Sequence, residues 1–215
     1  MARPRKSEHS RQELLDTGSR MLTEFGYHGT GIKQVLDAVG VPKGSFYNFF
    51  PSKEAFVAGI IYQYGDKANE DFRIALAGHE QDPAIVQVWL AFHNRTRNKL
   101  EAGETCACLL GAMAAEIAQA SPLCNEAIAT VEGRWLDTLE LMIRNAQQQG
   151  DLRDDALARE LGSLIFNCWQ GSLLQYQVTG DIETPLSQLK TLILTMATDQ
   201  GKSTLAQADN TGDHA

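Results

Sequence analysis

The sequence has no long apolar run and almost no alternation between apolar and polar residues. No stretch of the 215-residue chain is apolar over the length that a membrane-spanning helix needs, so none is expected. Because few segments alternate with a period of two, we do not expect β-strands. The basic residues 1–6 are not followed by the apolar stretch of a signal peptide, which favours a cytoplasmic protein.

Cysteine is scarce, and its spacing does not suit a metal site. The four cysteines include no Cys-x-x-Cys pair, and the five histidines are scattered, so we expect neither zinc nor a disulfide framework. The motifs of a phosphate-binding loop, a nucleophile elbow, a dinucleotide fold and a zinc protease are also missing. We therefore expect no enzyme and no cofactor, with a helical thiol enzyme as the less favoured alternative.

Negative charge dominates the chain but not its first quarter. The formal net charge is −8. Residues 1–53 contain eight Lys or Arg and five Asp or Glu, whereas residues 54–215 contain eleven and twenty-two. This asymmetry indicates a nucleic-acid-binding end on an acidic body. Arg3, Arg5 and Arg11 belong to a basic N-terminal stretch that could contact phosphates as an arm or remain a solvated tail.

Residues 32–50 show the pattern of a helix-turn-helix motif. Apolar residues recur at helical spacing up to Val39. Gly40 suits the positive φ at which many helices end, and Pro42 suits the first turn of a second helix. A helical hairpin in an unrelated bundle is the alternative, because such corners are common.

The second helix of this motif has an aromatic face and a polar face. Phe46, Phe49 and Phe50 share the aromatic face and are expected to anchor the helix to its neighbours. The polar face comprises Lys43, Gly44, Ser45, Tyr47 and Asn48. A rigid helix that offers donors and acceptors in this way fits the major groove of DNA.

Residues 40–56, Gly-Val-Pro-Lys-Gly-Ser-Phe-Tyr-Asn-Phe-Phe-Pro-Ser-Lys-Glu-Ala-Phe, resemble the signature of the TetR family of bacterial transcriptional repressors. Residues 25–30, Phe-Gly-Tyr-His-Gly-Thr, are similar to that family's entry into helix 2. The pattern departs at Pro42, usually Ser or Thr, and at Leu36, usually a small residue. The resemblance implies DNA contacts by Thr30, Lys33, Lys43, Gly44, Ser45, Tyr47, Asn48 and Lys53. Of these, Lys43 and Asn48 are expected at base edges, and Lys33, Tyr47 and Lys53 at phosphates.

The expected fold is all-α, with about nine helices. A three-helix DNA-binding head should occupy residues 1–52, a ligand-binding and dimerisation domain residues 53–199, and a disordered tail residues 200–215. Helices 8 and 9 carry more apolar residues than one inward face requires, which favours burial against a second copy. The resemblance also implies a homodimer through these helices, bound to a palindromic double-stranded operator.

One mechanism of control is modification of a cysteine. Residues 108–116, Cys-Leu-Leu-Gly-Ala-Met-Ala-Ala-Glu, resemble a segment in the TetR branch that includes the repressors of N-ethylmaleimide reductase and of acrylate-utilisation genes. That resemblance implies that Cys108 senses electrophiles or oxidants, from the first turn of helix 6. The lysine partner of that branch is replaced by Gln177, so Cys106 could resolve an oxidised Cys108 instead. The alternative is that all four cysteines are small buried residues.

The other mechanism is a reversible small-molecule effector. The candidate pocket among helices 5 to 8 would be lined by Trp89, His93, Met113, Trp135, Phe166 and Trp169. Aromatic residues at helical spacing are more often simply core, and that alternative applies to each of them. The sequence leaves the choice between effector and cysteine chemistry open.

Overall fold

The computed structural model describes residues 6–104, 106, 108–117 and 120–210, without the side chains of residues 6–9 and 112. Within these residues the protein is all-α, as expected, and the only extended pairing is an isolated bridge between Leu152 and Ala197. The ten helices are α1 (Lys6–Gly29), α2 (Ile32–Val39), α3 (Lys43–Phe46), α4 (Lys53–Ala75), α5 (Ala84–Glu101), α6 (Leu109–Ile117), α7 (Pro122–Gln148), α8 (Ala158–Thr179), α9 (Glu183–Met196) and α10 (Asp199–Asn210). None of these helices is long and apolar enough to cross a bilayer.

Helix α10 corrects the expectation of a disordered tail over residues 200–215. Its polar sequence docks through hydrogen bonds, which apolar periodicity does not reveal. The carboxylate of buried Asp151 accepts hydrogen bonds from Gln200 and Thr204, both at 3.1 Å. Residues 211–215 lie outside the described residues.

Helix α6 begins at Leu109, so Cys108 directly precedes this helix and does not occupy its first turn, which corrects the expectation from the sequence. Helix α8 begins at Ala158. The backbone before α8 is engaged elsewhere, since the amide of Arg153 donates to the carbonyl of Met196 at 3.0 Å.

The chain forms two compact units. Unit 1 comprises Met1–Lys67 and Cys108–Glu132, and unit 2 comprises Ala68–Ala107 and Gly133–Ala215. In unit 1, α1 packs against α2 and α6. Unit 1 therefore contains the expected DNA-binding head together with α6 and the first part of α7.

Helical geometry in α1 is interrupted at Gly26, within the segment that resembles the family's entry into helix 2. Gly26 has a φ of 69° and a ψ of −179°, which a residue with a side chain rarely adopts. The hydroxyl of Thr30 donates to the carbonyls of Gly26, at 2.8 Å, and Met21, at 3.1 Å. These bonds tie the segment before α2 to the last turns of α1.

In unit 2, α8 packs along α9, while α5 contacts both α9 and α10. Most apolar residues of α9 are buried inside this unit, among them Leu186, Leu189 and Ile193. Helix α8 differs, because it buries one apolar face and exposes another. The exposed apolar residues of α8 and its N-cap are Leu157, Leu164, Leu174 and Val178, which we call the α8 stripe.

Candidate nucleic-acid interface

The corner between α2 and α3 has the predicted geometry. Gly40 adopts the left-handed conformation, with φ 71° and ψ 27°, and the amide of Val41 donates to the carbonyl of Leu36 at 3.1 Å. At the other end of α2, the amide of Gly31 donates to the side chain of Gln34 at 2.8 Å. Both ends of α2 are thus fixed by local hydrogen bonds, and the direction in which the chain enters α3 is set.

Helix α3 is shorter than the sequence predicts. Regular helix covers only Lys43–Phe46, and residues 47–49 continue as a turn. In that turn the amide of Asn48 donates to the carbonyl of Ser45 at 3.2 Å, and the amide of Phe49 donates to that of Phe46 at 2.9 Å. The chain keeps its helical sense through this turn, which leaves Tyr47 and Asn48 exposed.

Aromatic packing holds α3 in place. The ring centroid of Phe46 lies 5.6 Å from that of Phe50 and 5.5 Å from that of Phe56. The ring centroids of Phe50 and Phe56 lie 5.0 Å apart. All three side chains are buried, and Phe49 is half-buried. The predicted anchoring role of Phe46 and Phe50 is confirmed. Such edge and tilted contacts add to the free energy of burying the rings.

The residues opposite these phenylalanines face solvent. Lys33, Lys43, Gly44, Tyr47 and Asn48 are exposed, and Ser45 is half-buried. Tyr47 is 56% exposed although its neighbour Phe46 is completely buried. No atom lies within 4 Å of the position that a β-carbon on Gly44 would take, so the backbone there is open to a ligand. The surface formed by these six residues is called the α3 face.

Two of the predicted DNA contacts have other partners in the structure. Thr30 is only 2% exposed, and its hydroxyl is bonded to α1. The ammonium of Lys53 donates to the carbonyl of Tyr27 at 2.8 Å and lies 4.0 Å from the centroid of that ring. Burial lowers the pKa of Lys53, against the opposing influence of nearby Glu54 and Glu116. These side chains hold unit 1 together in the structure, and their contacts with DNA stay predictions.

A carboxylate that sequence reasoning missed lies at the break in α1. Glu116, on α6, accepts hydrogen bonds from the amides of Tyr27, at 2.8 Å, and His28, at 3.4 Å. Because Glu116 is 88 residues from His28 in the chain, no local pattern could have revealed this contact. Glu116 therefore ties α6 to the end of α1 within unit 1.

The cysteines have different environments. Cys106 and Cys124 are buried, and burial raises the pKa of both thiols. The thiol of Cys124 donates to the carbonyl of Glu54 at 3.5 Å. Cys108 and Cys168 are half-buried. Among the described residues, no group of three or more His, Cys, Asp or Glu side chains is placed to hold a metal ion.

The predicted pocket residues are divided between the two units. Met113 is fully buried in unit 1, whereas the other five belong to unit 2. Trp89 and His93 lie together, with ring centroids 5.0 Å apart, and Trp135 contacts Phe166 at 5.8 Å. Trp169 packs on Phe92 at 5.6 Å. Trp135, Phe166 and Trp169 are buried, as the alternative interpretation of a simple aromatic core requires.

Two protein families match this chain. The family described as bacterial regulatory proteins of the tetR family matches residues 14–60, and the tetracycline-repressor-like C-terminal domain matches residues 83–192. The chain belongs to the TetR family. It is therefore a transcriptional repressor of the TetR type, and its family consists of DNA-binding regulators rather than enzymes.

Curated relatives match this TetR-family chain over most of their length. The transcriptional repressor DhaR of Mycobacterium sp. (strain GP1) is 27% identical over 183 residues, which are 85% of this chain and 89% of DhaR. The transcriptional repressor NemR of Escherichia coli (strain K12) is 26% identical over 196 residues, 89% of this chain and 98% of NemR. The transcriptional regulator AcuR of Cereibacter sphaeroides is 28% identical over 172 residues, 76% of this chain and 74% of AcuR.

Solved structures share the fold. The crystal structure of the reduced form of Escherichia coli NemR superposes with a TM-score of 0.76, at 23% identity, and the match covers 88% of this chain and 97% of NemR. A TetR regulator from Rhodobacter sphaeroides gives a TM-score of 0.77 at 24% identity, covering 88% and 99% of the two chains. The TetR fold thus extends over both matched domains of this chain.

Proposed function

We propose that this TetR-type repressor acts as a homodimer in the cytoplasm, binds a palindromic operator through two copies of the α3 face, and leaves the operator when a small effector binds. The observation that carries the proposal is the α3 face itself. Its polar side chains are exposed directly above a buried aromatic anchor, on a corner fixed by Gly40.

Chemistry assigns different roles within the α3 face. The amide of Asn48 has one donor group and one acceptor, which suits a bidentate bond to adenine, and the ammonium of Lys43 suits the acceptors of guanine. The phenol of Tyr47 and the ammonium of Lys33 suit phosphate oxygens. Gly44 allows the backbone to approach a phosphate closely. We assign base readout to Asn48 and Lys43, and positioning to the others.

The α8 stripe supports the dimer. Leu164, Leu174 and Val178 are 54%, 59% and 87% exposed, on a helix whose opposite face is buried in unit 2. An exposed apolar stripe of this kind favours burial against another protein surface. We propose a two-fold interface through α8 and α9, centred on the α8 stripe, because α9 directs most of its apolar residues inward. To read successive major grooves of a palindrome, the two α3 faces of such a dimer must lie about 34–36 Å apart.

Electrophile sensing by Cys108 is a second candidate for control. Cys108 is half-buried directly before the N-terminus of α6, whereas Cys106 and Cys124 are buried thiols with raised pKa values. Glu116 at the other end of α6 bonds to the end of α1. A substituent on Cys108 would therefore act on a helix that contacts the head. Cys106 is a poor resolving partner, because its burial disfavours the thiolate.

Cys108→Ser and Cys168→Ser form a matched pair for this second candidate. N-ethylmaleimide should release DNA from the parent protein and from Cys168→Ser, but not from Cys108→Ser. Release that persists in Cys108→Ser would remove Cys108 from control and leave the reversible effector.

DNA affinity measured against salt tests the main proposal. Fluorescence anisotropy would use duplexes from the DNA upstream of the gene and an unrelated duplex of equal length. We expect preferential binding to one upstream duplex, with a logarithmic affinity that falls linearly as the logarithm of salt concentration rises. Lys33→Gln should reduce that slope by about one, because Lys33 is assigned to a phosphate. Equal affinity for all duplexes at every salt concentration would contradict an operator-specific function.

A further inference from the structure

A pocket of about 340 Å³ opens on unit 2 between α5 and α9. Trp89 and His93 of α5 line it, and both were expected from the sequence to contact an effector. Its other lining residues include Arg97, Glu183 and Lys190, which the sequence did not single out. The volume lies within the range of small-molecule sites, and the mixture of aromatic and charged side chains is typical of them.

One wall of this pocket is aromatic and carries no charge. The rings of Trp89 and His93 lie 5.0 Å apart, with an angle of 31° between their planes, so they pack on each other. Burial lowers the pKa of His93, so its imidazole is neutral near pH 7. Trp89 is 6% exposed and presents only part of its ring to the pocket, beside the apolar side chain of Leu186. An apolar group can pack against this wall.

Both cations of the pocket hold a carboxylate. The guanidinium of Arg97 donates to the two oxygens of Glu183, at 2.7 and 2.9 Å. The ammonium of Lys190 donates to both oxygens of Asp209, at 2.7 Å each, and lies 5.0 Å from the centroid of the Trp89 ring. Beside the aromatic wall, Lys190 therefore already binds a carboxylate of the protein itself, that of Asp209.

The two carboxylates differ in how firmly they are held. Arg97 and Glu183 form a planar two-pronged pair, which fixes both side chains. Lys190 offers a compact ammonium on a flexible stem, which accepts a different anion without loss of geometry. Its partner Asp209 is 43% exposed and lies next to the last residue of α10. Of the two carboxylates, that of Asp209 is the one an incoming ligand can replace.

We propose that the α5–α9 pocket binds a small aromatic monocarboxylic acid, whose carboxylate replaces that of Asp209 on Lys190 while its ring packs against the wall formed by Trp89, His93 and Leu186. The exchange breaks only hydrogen bonds and an ion pair. It frees the end of α10 from α9, and it leaves the Arg97–Glu183 pair in place. Ligand binding in this pocket does not depend on the proposed function. The role of the pocket as the effector site of the repressor rests on that function.

Calorimetry on the full chain, without DNA, tests the site. The probes are benzoate, its neutral isostere benzamide, and the non-planar cyclohexanecarboxylate. We expect benzoate to bind at least about tenfold more tightly than benzamide, because only benzoate forms a charge-assisted bond with Lys190. Cyclohexanecarboxylate should bind more weakly than benzoate, since its thicker, puckered ring cannot lie as close to the aromatic wall. Equal binding of benzoate and benzamide, or no binding of benzoate, would overturn the proposal.

Two variants separate competition for Lys190 from a merely structural effect. Lys190→Gln should weaken benzoate binding about tenfold. Asp209→Asn should tighten it, because the competing carboxylate is lost; a damaged fold could not produce this gain. Lys202→Gln, which removes another lysine paired near the C-terminus, should leave benzoate affinity unchanged. Unchanged or weaker binding by Asp209→Asn would contradict the exchange.

A separate titration tests the role of the site in control. With the operator duplex present, benzoate should release DNA from the parent protein and not from Lys190→Gln. Benzoate binding without release of DNA would overturn the effector role. The calorimetry contains no DNA, so its result does not change if the proposed function is wrong.

Discussion

The α3 face and the α8 stripe are both exposed, and they expose opposite kinds of surface. The α3 face places Lys43, Tyr47 and Asn48 in water above a buried Phe46, so its polar groups remain hydrated until a polar partner replaces the water. The α8 stripe places apolar side chains in water, where burial is favourable. The chemistry of each exposed surface, rather than exposure itself, indicates its partner: nucleic acid for the first and protein for the second.

The largest expected effect is on the α8 stripe. Leu164→Glu should dissociate the dimer, because two-fold symmetry removes two leucines from the interface and places two charges there. Burial of the exposed half of two leucine side chains contributes about 1.5–3 kcal/mol, and placing two carboxylates in the interface costs several kcal/mol more, so the dimer dissociation constant should rise by more than about 100-fold. Sedimentation velocity over a range of protein concentrations measures the change.

Gln177→Glu is the matched control for this substitution. Gln177 is also exposed on α8 but lies to one side of the stripe, so the same charge should leave the dissociation constant nearly unchanged. A dimer that tolerates Leu164→Glu would show that α8 does not form the centre of the interface. The exposed apolar residues of the α8 stripe would then not indicate a protein partner.

The next largest effect is on the free energy of unfolding, and it should differ between the adjacent residues Phe46 and Tyr47. Phe46→Ala should lower the free energy of unfolding by about 3–5 kcal/mol, because it removes a ring that is completely buried against Phe50 and Phe56. Tyr47→Ala should lower it by less than about 1 kcal/mol, since the side chain is mostly exposed. Urea denaturation of the two variants gives both values. Similar losses would mean that Tyr47 is part of the core.

A smaller effect concerns specificity. Asn48→Ala should weaken binding to the operator by about 1–3 kcal/mol, the usual contribution of one bidentate base contact, while binding to unrelated duplexes changes little. Lys33→Ala should instead weaken both by a similar factor, because phosphate contacts carry no sequence information directly. Anisotropy titrations at one fixed salt concentration measure the ratio. An unchanged ratio in Asn48→Ala would remove it from base readout.

The smallest effect is a pH dependence of the free energy of unfolding, which comes from His93 in the α5–α9 pocket. Burial lowers the pKa of His93 below its ordinary value of 6.5, so the unfolded chain takes up this proton at a higher pH than the folded chain does. The free energy of unfolding should therefore decrease as the pH falls below about 6.5. The charged groups near this ring are Arg97, Lys190 and Glu183, with Asp209 bonded to Lys190.

His93→Gln isolates this contribution. The neutral amide cannot take up the proton, so the variant should lose less stability than the parent protein between about pH 7 and pH 5. The pKa of Glu183 is lowered, chiefly by its hydrogen bond with Arg97, so it stays ionised in this range and cancels between the two proteins. Urea denaturation at three pH values measures the difference. Parallel profiles would show that His93 titrates alike in the folded and unfolded states, which would contradict the lowered pKa.

Local chemistry explains what could be predicted from the sequence. The corner at Gly40 and the anchors Phe46 and Phe50 depend on neighbours within a few residues, and the sequence displays these directly. The all-α class follows from helical periodicity for the same reason. The resemblance of residues 40–56 to TetR proteins then supplied the family, which the matched domains confirm.

Contacts between distant residues explain what could not be predicted. Glu116 meets Tyr27, and Arg97 meets Glu183, across gaps of more than 80 residues. Helix α10 was missed because its docking depends on Asp151, whose partners are polar residues more than 45 positions away. The intramolecular partners of Thr30 and Lys53 were missed in the same way, because they became visible only when the break in α1 was known.

The stoichiometry and footprint of the protein on its own upstream DNA test the central claim most directly. Sedimentation of the complex, combined with hydroxyl-radical footprinting, should show chains bound in pairs. The two protected half-sites should be related by two-fold symmetry, with centres about 10–10.5 base pairs apart or a multiple of that spacing. One chain bound to one half-site, or no protected site in that DNA, would contradict the account.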